Sequence, residues 1–161
     1  MAGSLSQQAV YVGDARPTVL FIDRVPRPGR RVMMRQLSNI GELARATQRH
    51  LTGAATVQRV NMDDRSFAAQ IRTARRAHVL VGMHGAGMVH TLWMRAGAVI
   101  VELLNESRRP TYRNICEYMG DCQSLEYRVP RPKNGTHCRN HCHINVTNWL
   151  RFVDEELVKL L

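Results

Sequence analysis

Lysine is nearly missing from this chain: of 23 basic residues in 161, 21 are arginine and only Lys133 and Lys159 are lysine. No lysine follows any glycine turn, which removes the phosphate-binding P-loop from consideration. Aromatic residues are also few, 6% of the chain, too sparse for the stacking platform of a single-strand nucleic-acid binder. Residues 1–17 hold no apolar stretch of the kind that drives secretion, so no signal peptide is expected. The longest run without a formal charge, Ala77 to Met94, contains His78, His84 and His90 together with Gly82, Gly85 and Gly87. A strand, a glycine turn and a helix account for it better than a membrane span. No repeat, low-complexity tract or CxxC pair occurs.

The balance of charge is strongly basic, +10 with a pI near 10.5, which favours anionic partners. Arg16, Arg24, Arg27, Arg30, Arg31 and Arg35 crowd a segment whose only acid is Asp23. At 18.3 kDa, a single domain buries about two-thirds of its extended surface, so neither metal nor disulfide is needed for folding. A polar segment, 1–17, is expected to precede one domain over 18–161.

Within that domain apolar runs alternate with amphipathic stretches. Thr18–Asp23, Ala55–Val60, His78–Gly82, Ala98–Leu103 and Ser124–Val129 read as strands. Helices are expected from the Ser38/Asn39 cap, with Glu42 completing a capping box. Others are expected after Asp63 or Asp64 (Phe67, Ala68, Ile71 and Ala74 on one side) and after Gly87 (Met88, Val89, Leu92, Trp93 and Ala96 inward). Two more run from Pro110 to Met119 and from Val146 to Leu161. His90 reads as a packing or surface residue, and residues 130–143 read as a loop. Strands alternating with helices predict an α/β, Rossmann-like three-layer α/β/α fold with a mainly parallel sheet. In such a sheet ligands gather beyond the carboxyl ends of the strands. Here those ends carry Asp23–Arg31, Asn61–Asp64, Gly82–Gly87 and Glu102–Arg109.

The most informative of these is Gly82-Met-His-Gly-Ala-Gly87. Its GxxGxG order differs from the dinucleotide GxGxxG and follows the third strand, not the first. Glycines let backbone approach a ligand, and the helix start behind them offers unpaired N–H groups to an anion. A tight turn needed only for packing is the alternative, although such a turn has no use for His84.

Ala77-His-Val-Leu-Val-Gly-Met-His-Gly-Ala-Gly-Met-Val-His90 followed by Met94-Arg-Ala-Gly-Ala-Val-Ile-Val-Glu102 closely resembles the catalytic core of glycosyltransferase family 61, which includes EGF-domain O-GlcNAc transferases and plant xylosyltransferases. The strand ending in Arg24, the basic loop with Arg31 and Phe67-Ala-Ala-Gln-Ile71 extend the likeness over roughly residues 18–105. The resemblance implies the C-terminal, donor-binding half of a GT-B fold, with an N-terminal partner domain outside this chain. It implies an inverting transferase that moves sugar from a UDP-sugar to a protein or glycan hydroxyl in the Golgi or endoplasmic reticulum lumen. Val32–Asn39 stands where the family begins a helix, which leaves the register of Arg30 against Arg31 open.

The residues fit a metal-independent version of that chemistry. Departure of a nucleoside diphosphate builds negative charge on its β-phosphate. The Asp-x-Asp metal motif is absent from the sequence, so no cofactor is expected beyond the donor substrate. Arg24, Arg31 and the amides of Gly85, Ala86 and Gly87 are the expected donor-binding set. His84 is the expected leaving-group stabiliser, and no catalytic base is evident. Glu102 is expected either to accept from ribose or sugar hydroxyls or to be an exposed carboxylate paired with Arg95 or Arg108. Cys116, Cys122, Cys138 and Cys142 are candidates for disulfides, with three possible pairings. Asn105, Asn134 and Asn145 stand in N-glycosylation sequons. Two other readings remain: a basic nucleic-acid-binding module, for which no recognition motif is present and nucleic acid is not the expected partner, and a non-catalytic remnant domain.

Overall fold

The computed structural model describes residues 16–25, 36–105, 111–130 and 141–161. Its strands are β1 (Thr18–Asp23), β2 (Gln36–Leu37), β3 (Thr56–Asn61), β4 (Val79–Met83), β5 (Ala98–Leu104), β6 (Cys122–Arg128) and β7 (His141–Cys142). The α-helices are α1 (Ile40–His50), α2 (Phe67–Arg76), α3 (Thr111–Met119) and α4 (Val146–Phe152). Five strands form one parallel sheet in the order β3-β1-β4-β5-β6. This is the Rossmann-like α/β arrangement expected from the alternating pattern. The strand order reverses direction between β1 and β4, so the crossover helices pass to opposite faces on either side of that point.

Each central strand is buried on both faces, which is why it reads as an unbroken apolar run. Alternate residues serve two cores. Val19, Phe21, Val79, Val81, Val99 and Val101 meet Leu43 of α1 and Trp149 of α4. Leu20, Ile22, Leu80 and Ile100 meet Ala77, Met88, Tyr112 and Cys116 on the other face. Trp149 is fully buried, in edge-to-face contact with Phe21 and Tyr127. Its indole N–H donates to Thr47 Oγ1 at 2.8 Å, joining α4 to α1. At the far end of the sheet the Thr18 N–H donates to His78 Nδ1 at 2.9 Å. Burial, reinforced by Arg95, lowers the pKa of that imidazole.

Several expectations need correction. Asn39 does stand at the N-cap of α1, but its side chain makes no capping bond. Its amide instead donates to the Ile144 carbonyl at 2.8 Å and accepts from the Ile144 N–H at 3.2 Å. Beside this clamp β2 pairs with β7 in a two-residue ladder, and β7 lies inside the segment 130–143 read as loop. The stretch after Gly85 is a 3-10 helix, Ala86–Trp93, and not an α-helix. With about three residues per turn, it buries Met88 and Thr91 but leaves Val89, Leu92 and Ala96 exposed. Phe67 and Ala68, at the start of α2, are exposed as well, and of that expected face only Ala74 is fully buried. The terminal helix keeps its inward face but changes to a π-helical turn at Val153–Leu157. Cys116 is bonded to Cys122, tying α3 to β6; Cys142 is also disulfide-bonded, and Cys138 lies outside the described residues. Among the described residues no helix is long and apolar enough to cross a membrane.

Replacing Thr47 by valine keeps the shape but strands the Trp149 indole N–H in the core. Denaturant melts are expected to show a loss of about 1–3 kcal/mol; an unchanged midpoint would contradict this bond's role.

Candidate functional site

The reversal of strand order leaves a crevice between the carboxyl ends of β1 and β4. There the chain forms a hollow of about 230 Å³ whose lining includes Asp23, Arg24, Asn61, Ala86, Gly87 and Trp93. Arg24 leaves the end of β1 while Ala86 and Gly87 open the 3-10 helix after β4, so residues more than 60 positions apart share one wall. Arg31 lies outside the described residues.

The glycines of the turn have separate tasks. Gly85 has φ 149° and ψ −174°, backbone that only glycine adopts without strain. The Tyr112 hydroxyl of α3 donates to its carbonyl at 2.7 Å and holds that conformation. A Cβ at Gly87 would lie 3.1 Å from Ile22 Cγ2, and one at Gly82 would lie 2.8 Å from Met88 Sδ. These two positions are small because the 3-10 helix rides directly on β1 and β4. His90 completes the attachment: its Nδ1 faces the Gly87 carbonyl at 2.8 Å and its Nε2 faces Gln70 Oε1 of α2 at 2.9 Å. This is the packing role expected of it.

His84 and Glu102 are placed differently from expectation. Neither lines the hollow. Glu102 is completely buried in β5, and its carboxylate is hydrogen-bonded to His84 Nδ1. It is therefore neither an exposed strand-end carboxylate nor a direct acceptor for sugar hydroxyls in this hollow; Arg95 instead contacts His78 at 2.6 Å. Parallel register explains the meeting. Gly82 sits beside Glu102, and the His84 N–H donates to the Leu103 carbonyl at 3.0 Å. Burial raises the pKa of the Glu102 carboxyl, the His84 bond opposes this, and nearby Glu126 adds to the rise. The second oxygen, Oε2, is buried without a hydrogen-bond partner. His84 also meets the Tyr112 ring edge-on at 5.7 Å, so the pair and Tyr112 together support the turn from beneath.

Two features of the hollow escaped the sequence. Asp23, noted only as the lone acid of a basic segment, lines it, and Phe67 and Trp93 form an edge-to-face pair at its rim, 5.4 Å between centroids. Trp93 is thus a wall residue and not core. Of the sequons, Asn105 is 7% exposed at the end of β5, leaving no room for a glycan in this fold. Asn145 is exposed and caps α4, while Asn134 lies outside the described residues.

The sequence matches the glycosyltransferase 61 family over residues 4–101, a span that includes β1, the glycine turn and most of β5. This chain belongs to glycosyltransferase family 61. Among relatives, the EGF domain-specific O-linked N-acetylglucosamine transferase of Drosophila melanogaster is 29% identical over 145 residues, 86% of this chain and 26% of that protein. The Gallus gallus counterpart is 26% identical over 165 residues, 98% of this chain and 29% of that protein. Homo sapiens protein O-linked-mannose beta-1,4-N-acetylglucosaminyltransferase 2 is 35% identical over 80 residues, 47% of this chain and 14% of that protein. The chain therefore spans less than a third of the length of these relatives.

The Glu102 carboxyl gives up its proton at higher pH when folded than when unfolded. Between pH 4.5, where an unburied glutamate ionises, and the raised folded value, the folded state binds more protons, so stability falls as pH rises. Glu102→Gln is expected to flatten that fall in urea melts taken across the window. An equally steep fall in the variant would place the titrating group elsewhere.

Proposed function

We propose that this chain is the donor-binding portion of a family 61 glycosyltransferase, holding a UDP-sugar for transfer to a protein or glycan hydroxyl with inversion and without a metal. In this reading it is the C-terminal half of a GT-B enzyme, and the acceptor-binding half lies in sequence that its longer relatives contain. The observation that carries the proposal is the shared wall of Arg24 with Ala86 and Gly87 at the sheet's switch point. The first N–H groups of a helix have no intrahelical partner, and a guanidinium presents paired donors to phosphate oxygens. Together they suit the charge that grows on a departing β-phosphate.

His84 acts here by position. Donating from Nδ1 to Glu102, it holds the glycine turn so that the Ala86 and Gly87 amides face the pyrophosphate. Glu102 is a positioning residue of the same unit. The catalytic base belongs to the part of the enzyme outside this chain. The names of the relatives, which specify N-acetylglucosamine transfer to EGF domains and to O-linked mannose, support a glycoprotein acceptor. The Cys116–Cys122 disulfide and the exposed Asn145 sequon support a Golgi or endoplasmic reticulum lumen.

One feature favours the nucleic-acid alternative: a separate hollow of about 310 Å³ between α2 and the β1–β3 edge is lined by Arg65, Arg72 and Arg76. A salt-dependent gel shift with RNA that UDP does not displace would support it. The donor reading predicts calorimetric binding of UDP that survives EDTA. Arg24→Ala is expected to weaken it by about 1–3 kcal/mol. A folded chain that ignores UDP, or binds it only before EDTA is added, would overturn the donor reading.

A further inference from the structure

Helix α2 leaves a strip of the sheet unsealed. Leu20 of β1 and Gln58 of β3 are partners in parallel register, and with Thr18 they form the sheet side of the hollow of about 310 Å³ beside α2. The helix contributes Ala69, Arg72, Thr73 and Arg76, spaced i, i+3, i+4 and i+7, the face that an amphipathic helix ordinarily fills with apolar residues. Here that face carries two guanidinium groups and two short side chains, and Ala74 alone of α2 is fully buried. Arg65, just before the helix, supplies a third guanidinium.

Arg65 is held in place. Its N–H donates to the Met62 carbonyl at 3.1 Å, its carbonyl accepts from Gln70 Nε2 at 3.0 Å, and its Nη1 donates to Thr73 Oγ1 at 3.3 Å. Thr73 in turn donates to the Ala69 carbonyl at 2.8 Å. Among the described residues no carboxylate lines the hollow, and none forms an ion pair with Arg65, Arg72 or Arg76. Arg59, Arg113 and Arg128, by contrast, each have an acidic partner. The exposed Gln58 amide adds both a donor and an acceptor.

This lining selects the charge and the size of a ligand. Like charges around one hollow repel, and an anion between them removes that repulsion. A guanidinium fork binds phosphate-like oxyanions through paired donors, and three such groups offer more donors than a single carboxylate can accept. The lining has no aromatic residue, so the bases of a single-stranded nucleic acid find no platform. The volume lies at the lower end of the roughly 300–1,000 Å³ of small-ligand sites, enough for a multiply charged group and its immediate carrier.

We propose that this hollow is an anion site that takes a phosphate or sulfate group, with Arg72 and Arg76 as its principal ligands and Arg65 and Gln58 completing the set. It is independent of the donor reading. It shares no lining residue with the switch-point hollow, which uses Phe67 and Gln70 on another face of α2. The group arrives either on a sulfated glycan or on a free phosphorylated molecule, and the probes separate these sources.

The test is calorimetric titration of the full chain and of its Arg72→Gln, Arg76→Gln and Arg75→Gln variants. Arg75 is the control: it is exposed on the same helix but does not line the hollow. All three positions are exposed, so the variants keep the fold. The probes are a heparin-derived hexasaccharide, inorganic pyrophosphate and a single-stranded RNA oligonucleotide. The wild type is expected to bind at least one of the two small anions saturably. Arg72→Gln and Arg76→Gln are each expected to weaken that binding about tenfold, while Arg75→Gln leaves it within about twofold. A loss seen with the hexasaccharide alone assigns a sulfated glycan, and one seen with pyrophosphate assigns a phosphorylated molecule. Equal weakening by Arg75→Gln would reveal attraction by net charge alone and refute the site. Binding of the small anions that neither Arg72→Gln nor Arg76→Gln changes, or none at all, would refute it too. A response confined to RNA would overturn it in favour of a nucleic-acid surface.

Discussion

The structure depends on backbone lying directly against side chain where strand order reverses. With no Cβ at Gly82 or Gly87, the 3-10 helix settles onto Ile22 of β1 and keeps Met88 beneath it in the core. That contact brings Arg24 and the glycine turn to one edge of the sheet. A methyl group at either position must displace a neighbour, and the displacement would be felt by Arg24 and by the helix amides together. Close packing is thus the means by which residues distant in sequence come to share the hollow.

Beneath the hollow lies a less usual arrangement, a carboxylate in the middle of a fully buried strand. An isolated charge there is costly, and His84 supplies the partner that makes Glu102 tolerable. The two carboxylates near the switch point therefore have different environments. Glu102 is sealed in and spent on an imidazole that shapes the turn. Asp23 is partly open at the end of β1 and pairs with Arg59 of β3 at 3.6 Å. The exposed Phe67 makes sense in the same way: on a face that buries little else, it extends the wall built by Trp93.

Much of this was legible in the residues. The central strands β1, β4 and β5 were visible as apolar runs because a parallel sheet covered on both faces imposes no alternation, whereas the edge strands β3 and β6 carry polar residues and were weaker signals. The family likeness lay in the glycine turn and the strand behind it. Other features depended on tertiary contacts. A two-residue ladder such as β2 with β7 has no periodicity to read. Asn39 looked like a cap because caps are local, whereas its partner Ile144 is over 100 residues away. The burial of Glu102 was nevertheless implied: a glutamate inside an otherwise apolar central strand has no exposed face. Asp23 was hidden by its neighbours, since net charge drew attention to the arginines and away from the acid among them.

The most direct test of the account is to map UDP onto the chain by the amide shifts of an assigned NMR spectrum. The account predicts the largest changes at Arg24, Ala86 and Gly87, with smaller ones at Asn61 and His90. Changes centred on Arg65, Arg72 and Arg76, with the glycine turn unmoved, would contradict it.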